Sequence, residues 1–263
     1  MRYGVLSDVH GNLPALRAAV ARLRFEGVDR WLCAGDIVDY GPQPNECVAE
    51  IAALDPVCIA GNHELVALDE LPSDRFSWRA RQALEWTRTA LSEDSRRYLT
   101  ALPRIASLPG LVMAHGSLAD PEEYIRTEAH AQAQLEQLGR EHADARVLVL
   151  GHTHRSLLYG STSGLLDVSY TEAMPFAAGE RYVVNPGSVG QSRDRERQPR
   201  ARFALLELPD DGPGSVRFFA EHYDHGAVTE ALRAARLPKD SVHVRPGKVA
   251  SIRRRIRRLL TPG

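Results

Sequence analysis

The sequence predicts an α+β fold in which two β-sheets pack face to face with helices outside. Three observations carry that. Apolar strand-like runs alternate with helical patterns early in the chain, the texture turns all-β after residue 150, and five strand ends carry Asp, His or Asn. At 263 residues, 43% hydrophobic and 25% charged, the chain is long and apolar enough for one large globular domain with a small insertion.

The elements follow in order. Residues 2–7 read as a buried strand, and Asn12 is a good N-cap for a helix with Leu13, Leu16, Val20 and Leu23 on its apolar stripe. A second strand, Arg30-Trp31-Leu32-Cys33-Ala34, ends at Gly35-Asp36, and residues 45–54 form a helix with Cys47, Val48, Ile51 and Leu54 inward. A third strand ends at Gly61-Asn62-His63. Two βα units and a third strand imply a parallel sheet.

Strand texture is lost over residues 65–102, where Trp78, Leu84, Trp86, Leu91, Tyr98 and Leu102 recur at helical spacing. This stretch is read as two or three helices forming a small cap beside the site, against the alternative of ordinary crossover helices. Residues 104–108 and 111–115 form a hairpin about Pro109-Gly110, residues 121–126 a loop, and residues 129–140 a helix. The run Val147-Leu148-Val149-Leu150 leads into Gly151-His152-Thr153-His154. Strands are expected at 156–159, 165–169, 182–185, 202–208 and 215–221, with a last helix at 225–236. One domain therefore covers 1–245, followed by a basic tail at 246–263 with Arg253, Arg254, Arg255, Arg257 and Arg258. A solvated surface helix is the favoured reading of that tail, an anionic partner the other.

Composition excludes several classes. The formal net charge is −1, so no global field draws the chain to a nucleic-acid polymer. No apolar run nears the ~20 residues of a membrane span. Cys33, Cys47 and Cys58 lack zinc-type pairing and read as free thiols, which suits a reducing cytosol. With a strand starting at once and no signal-peptide pattern, a cytoplasmic protein is expected.

The chemistry lies at the strand ends. Asp8-Val9-His10, Gly35-Asp36, Gly61-Asn62-His63, His115-Gly116 and Gly151-His152-Thr153-His154 each follow an apolar run. Open α/β sheets place ligand sites at the carboxyl ends of their strands. In an extended turn the side chains of His152 and His154 would face one point. Imidazole with carboxylate suits Mn, Fe, Zn, Co or Ni, whereas an all-oxygen cage would point to Mg or Ca.

These five blocks resemble the calcineurin-like metallophosphoesterase superfamily, in the right order. Val38-Asp39-Tyr40-Gly41-Pro42-Gln43-Pro44-Asn45, His115-Gly116-Ser117 and Asn185-Pro186-Gly187-Ser188-Val189-Gly190-Gln191 are similar to its bacterial predicted-phosphodiesterase branch. The resemblance implies an αββα four-layer fold with mixed sheets and two divalent transition metals, Mn or Fe ahead of the others. It implies that Asp8, His10, Asp36 and His154 hold the first metal, and that Asp36, Asn62, His115 and His152 hold the second. Asp36 would bridge the pair, and a shared hydroxide would attack phosphorus. His63 would assist the leaving group, oriented by Asp8 or a carboxylate near it.

One departure matters. Protein phosphatases of the superfamily carry a phosphate-binding Arg where this chain has Tyr40. That favours a phosphodiesterase or dinucleoside polyphosphate hydrolase acting on a small phosphorylated substrate, a nucleotide among the candidates. A phosphomonoesterase or protein phosphatase is the runner-up, and a non-catalytic metal-binding scaffold the third reading. Candidate substrate contacts are Asn62, Tyr40, Arg126, Ser188 and Arg193, with Arg195 a further source of positive charge. The Asn185–Gly190 loop reads as either an anion cradle of backbone N–H groups or a plain tight turn. The sequence leaves room for a homo-oligomer.

Overall fold

A computed structural model describes residues 1–194 and 196–243. Arg195 and the basic tail lie outside the described residues.

The elements are β1 (Arg2–Leu6), α1 (Leu13–Glu26), β2 (Arg30–Cys33), α2 (Pro44–Ala52), β3 (Val57–Cys58), α3 (Asn62–Ala67), α4 (Trp78–Ala90), α5 (Glu93–Thr100), β4 (Ile105–Leu108) and β5 (Leu111–Ala114). They continue with α6 (Glu128–Glu141), β6 (Val147–Val149), β7 (Ser156–Gly160), β8 (Gly164–Leu166), β9 (Ala173–Pro175), β10 (Tyr182–Pro186), β11 (Arg200–Glu207), β12 (Ser215–His222) and α7 (His225–Ala234). Asn12 caps α1 as expected, its side chain accepting from the Ala15 N–H, and Pro44 stands in the first turn of α2, where a missing N–H does no harm.

Two six-stranded sheets result, in the orders β3-β2-β1-β11-β12-β9 and β4-β5-β6-β10-β7-β8. Both are mixed. Strands β1, β2 and β3 run parallel and β11 joins β1 antiparallel; β5, β6 and β10 run parallel, with antiparallel β4 on one side and β7 on the other. The two halves of the sequence therefore do not form one sheet each. The open edge of β1 is covered by a strand from the far end of the chain, because closing a long excursion costs only logarithmically more than closing a short one.

The strands read as continuously apolar because both faces are buried. Val5, Leu32, Met113, Val149, Val184 and Phe218 fill the space between the sheets. The alternate residues face outward, Leu6 and Cys33 onto α1 and α2, and Val112 and Leu148 onto α6. Two short elements escape a sequence reading. Strand β9 is a three-residue edge strand, and α3 is a six-residue helix that starts on the Asn62-His63 turn itself.

The helices expected at 65–102 are present as α4 and α5. Ala80, Leu84, Leu91 and Leu99 join the α1–α2 layer, and Ala83 and Trp86 meet α7. The segment thus extends the outer helical layer and reaches the strand-end site through Phe76, whose ring lies 4.5 Å from that of His63. Trp78 is 70% exposed. No described helix is long and apolar enough to cross a membrane.

Candidate metal centre

The loops after β1, β2, β3, β5 and β6 converge at one rim of the sandwich. Their turns are tight. Asp8, His10, Asp36, Asp39, Tyr40, His152 and His154 all have left-handed φ, between +49° and +71°. Asp and His tolerate that region better than most side chains. His152 and His154 are therefore not on an extended turn: with Thr153 between two left-handed residues, the imidazoles serve two adjacent groups instead of one point.

Asp8, His10, Asp36 and His154 offer donor atoms within 4.8 Å of one another, as do Asp36, His115 and His152, and all six are buried. Asp36 is common to both groups. His115 Nε2 lies 3.1 Å from Asp36 Oδ2 and His154 Nε2 3.2 Å from Asp8 Oδ1. Each of the four histidines gives one ring nitrogen to a backbone carbonyl. His10 Nδ1 meets Val38 O, His115 Nδ1 meets Ala34 O, His154 Nδ1 meets Gln191 O and His152 Nε2 meets Glu122 O, at 2.6–3.1 Å. A carbonyl only accepts, so each of those nitrogens carries a proton and leaves the other ring nitrogen as the one available to the centre.

The residues fit metal ions. Asp36 Oδ2, Asn62 Oδ1 and His115 Nε2 are buried without a hydrogen-bond partner, although the first and third stand 3.1 Å apart. Such orphans are costly unless a cation answers them. His10 and His154 point their Nε2 atoms at each other across 3.2 Å, and two lone pairs that close repel. Burial holds both rings well below the ordinary histidine range, and His152 falls to about 3, so these three rings are neutral and able to act as ligands. Burial would also depress His115, but Asp36 raises it to about 10, the mark of a carboxylate that calls for positive charge at this point.

His63 stands apart from the ligand groups. Its Nδ1 lies 2.6 Å from Asp39 Oδ2, and its Nε2 faces the centre, 3.9 Å from Asp36 Oδ2. Asp39, not Asp8, orients the ring: the left-handed turn at Asp39 swings its carboxylate back over α3, while the Asp8 oxygens take Ser7 Oγ and the His152 N–H. Burial tends to lower the pKa of His63, but Asp36 and Asp39 outweigh it and raise it.

Glu64 received no role from the sequence. Buried, it accepts the N–H groups of Asp36, Ile37, Val38 and Gly61 at 2.7–3.1 Å, tying two ligand loops together. Its place at the third position of α3, where a capping glutamate reaches back to the N-cap N–H, was the available signal. The loops touch so closely that a Cβ on Gly61 would lie 2.2 Å from Asp36 Oδ1.

The remaining candidates sort themselves. Tyr40 packs between His10 and His63, 4.8 Å from each ring. Ser188 donates to Asp8 O and accepts from the Gln191 N–H, and the N–H groups of Val189 and Gly190 donate to Ser7 O and Asp8 O, so that loop buttresses the site. Tyr124 lies 4.0 Å from the His152 ring, with the Arg126 guanidinium 4.0 Å from the Tyr124 ring centroid. Arg193 reaches Tyr124 OH at 3.3 Å and Gln191 Oε1 at 3.3 Å. The exposed Arg75 pairs with Asp120 and Glu122 across the roof.

A model of the calcineurin-like phosphoesterase superfamily domain matches residues 1–211. The chain belongs to that superfamily. It is 32% identical to a metallophosphoesterase from Sphaerobacter thermophilus, whose crystal structure superposes with a TM-score of 0.78 over 92% of this chain and 96% of that one. A hypothetical protein from Pyrococcus horikoshii shares the fold at a TM-score of 0.72 and 21% identity, over 92% and 96% of the two chains. An uncharacterised Methanocaldococcus jannaschii protein is 28% identical over 244 residues, 89% of this chain and 93% of its own length. The αββα architecture and the strand-end blocks agree with this family, and the chain is a metallophosphoesterase acting on phosphorylated substrates.

Proposed function

We propose that the chain is a dinuclear metal-dependent phosphohydrolase that prefers phosphodiesters or phosphoric anhydrides, dinucleoside polyphosphates among them. Asp8, His10, Asp36 and His154 hold one ion, and Asp36, Asn62, His115 and His152 hold the other, with Mn or Fe ahead of Zn, Co or Ni. Two such ions would supply the activated water and the charge that polarises the phosphoryl group. The observation that carries the reading is the Asp39–His63 pair set beside the two Asp/His groups that share Asp36.

The chain's own residues then divide the work. Asp39 accepts a hydrogen bond from His63 Nδ1–H, which leaves Nε2 to protonate or orient the leaving-group oxygen. Asn62, the first residue of α3, has a buried amide oxygen with no hydrogen-bond partner, which suits a ligand. Arg193, half-buried beside Tyr124, offers its guanidinium to a non-bridging phosphate oxygen, and Tyr40 and Phe76 wall the site beside His63. The preference for diesters rests on charge. A monoester dianion needs more cation than a diester monoanion, and here Tyr40 stands where a second guanidinium would, while Glu122 and Asp120 border the roof. The half-buried Arg193 is what favours the second reading, a phosphomonoesterase. A non-catalytic scaffold has no use for the His63–Asp39 pair. Three buried thiols fit a reducing, cytoplasmic setting.

A metal-reconstituted panel of bis-ester model compounds, cyclic nucleotides, diadenosine tetraphosphate and phosphopeptides tests the substrate class, and turnover confined to phosphopeptides would refute it. His63→Ala is expected to lower kcat by ~10²–10⁴ with metal content intact, and less for nitrophenolate leaving groups, which need little protonation. An equal loss across leaving groups would make His63 a positioning residue.

A further inference from the structure

Trp78, the first residue of α4, is 70% exposed, a large apolar area for the protein to leave in water. It lines a shallow, open groove. Trp78 and Gln82 form one wall of this groove of about 460 Å³, whose other wall is Arg236, Leu237, Pro238 and Lys239, with Asp240 at its end. That volume lies in the range of small-molecule sites. A larger depression of about 470 Å³ lies beside α6, but the Arg181 there is already committed to the carbonyls of Ala143 and Ala145.

Both walls of the Trp78 groove trace directly to the metal centre. Two residues before Trp78, within about 7 Å of chain, Phe76 touches His63. On the other side Ser241 O accepts the Gln191 side-chain amide at 2.8 Å, and Gln191 O accepts from the metal-facing His154 at 2.8 Å. Both walls of the groove thus lie within two residues of groups that reach the site. Its charge is also informative. Arg236 and Lys239 are exposed and neither is engaged by an ion pair among the described residues. Arg236 holds a left-handed φ of +56° just after α7, where glycine is the cheap choice by roughly 1–2 kcal/mol. An aromatic face, two cations and an amide make a surface for a planar base carried on a phosphate.

We propose that this groove is a second subsite, which receives the nucleobase of a substrate whose scissile phosphate lies at the metal centre. The base stacks on Trp78, Gln82 meets its polar edge, and Arg236 and Lys239 meet the sugar-phosphate. The inference rests on the phosphodiesterase reading and narrows it to nucleotide esters and anhydrides.

The test compares two diesters with one leaving group and one charge, methyl p-nitrophenyl phosphate and a nucleoside p-nitrophenyl phosphate, on the metal-reconstituted full chain. Trp78→Ala is expected to raise KM for the nucleoside ester roughly ten-fold and to leave the methyl ester unchanged; Trp78→Phe, which can still stack, should restore much of it. Arg236→Ala with Lys239→Ala should raise the same KM less, and most clearly at low salt. A second readout does not need turnover. Adenosine monophosphate should quench the tryptophan emission of the wild type, and Trp78→Phe should abolish that quench, since only Trp31 and Trp86 would remain. An unchanged KM in Trp78→Ala, an equal loss for both esters, or no quench in the wild type overturns the subsite. Quenching by a nucleotide that neither ester accompanies with turnover would instead sink the phosphodiesterase reading while the groove stands.

Discussion

Two buried glutamates, at opposite ends of the sandwich's logic, perform the same task with opposite electrostatics. Glu64 accepts four backbone N–H groups and ties the β2 loop to the β3 loop. Glu180 accepts the N–H groups of Thr162 and Ser163 and the hydroxyls of Ser163 and Tyr182, tying the β7–β8 turn to β10. Burial raises both. At Glu64 the Asp36 carboxylate adds to it, and the pKa climbs to about 7; at Glu180 the hydrogen bonds win, and it drops to about 2. With four hydrogen bonds accepted at each, the unequal acidity traces first to the deeper burial of Glu64 and then to the Asp36 carboxylate beside it. The Glu180 corner is complete in itself, whereas the Glu64 corner is built around negative charge that needs a cation.

The comparison breaks first if chelation leaves stability untouched. Each ion bound at 100–1,000 times its Kd contributes about 2.7–4.1 kcal/mol, so stripping two should lower the melting temperature of the wild type by many degrees. Glu180 variants should lose as much as the wild type, because their corner holds no ligand. A chelator-insensitive melting curve would refute the cation-dependent rim.

Next is Glu64→Gln. The amide nitrogen cannot accept, so about two of the four N–H groups are stranded at ~1–3 kcal/mol each. Stability should fall by roughly 3–4 kcal/mol in urea titration, and metal affinity should fall with it, because Asp36 and Asn62 sit on the loosened loops. Retained metal content would show that the loops hold their geometry without Glu64.

Glu180→Gln should do less, about 1–2 kcal/mol, since the Ser163 and Tyr182 hydroxyls can turn to suit an amide. The pH dependence sharpens the point. The folded pKa, about 2, lies below the ordinary 4.5, so the carboxylate's contribution is complete above pH 4.5 and lost as the pH falls through about 2. The gap between wild type and variant should therefore close across that window, and kcat near neutrality should not move. A gap that persists at the acid end would mean that packing, not charge, is what the glutamate supplies.

How much of this was legible in the sequence follows from what each residue depends on. Strands buried on both faces announce themselves as apolar runs, so β1, β2, β5 and β6 and the Asp and His residues that end them could be read directly. Asp39 and Glu64 could be seen but not interpreted. Their roles depend on how three loops fold over one another, Asp39 through a left-handed turn and Glu64 through N–H groups up to 28 positions away in the chain. Strand pairing was hidden for the same reason, since nothing local says that residues 200–207 lie against residues 2–6. Segment 65–102 was readable as helix, but whether a helix covers a site or packs onto a layer is decided by its neighbours, here α2 and α7.

The smallest prediction compares glycines at the two corners. At Gly61 a side chain is excluded by space, with Asp36 Oδ1 at 2.2 Å from a built Cβ. Gly179, next to Glu180, has φ +76° and nothing within 4 Å of a Cβ, so only backbone conformation opposes substitution there. Gly179→Ala should cost about 1 kcal/mol, Gly179→Asn less, because asparagine tolerates left-handed φ. For a domain of this size that is a shift of roughly 2–4 °C, readable by thermal denaturation, with metal content and turnover unchanged. A larger loss, or one that carries metal away with it, would mean that the Glu180 corner transmits strain through β10 to the Asn185 turn, whose side chain holds Gly151 O at 2.6 Å. The two ends of the sheet would then be one mechanical unit, and the independence that separates the glutamates would be lost.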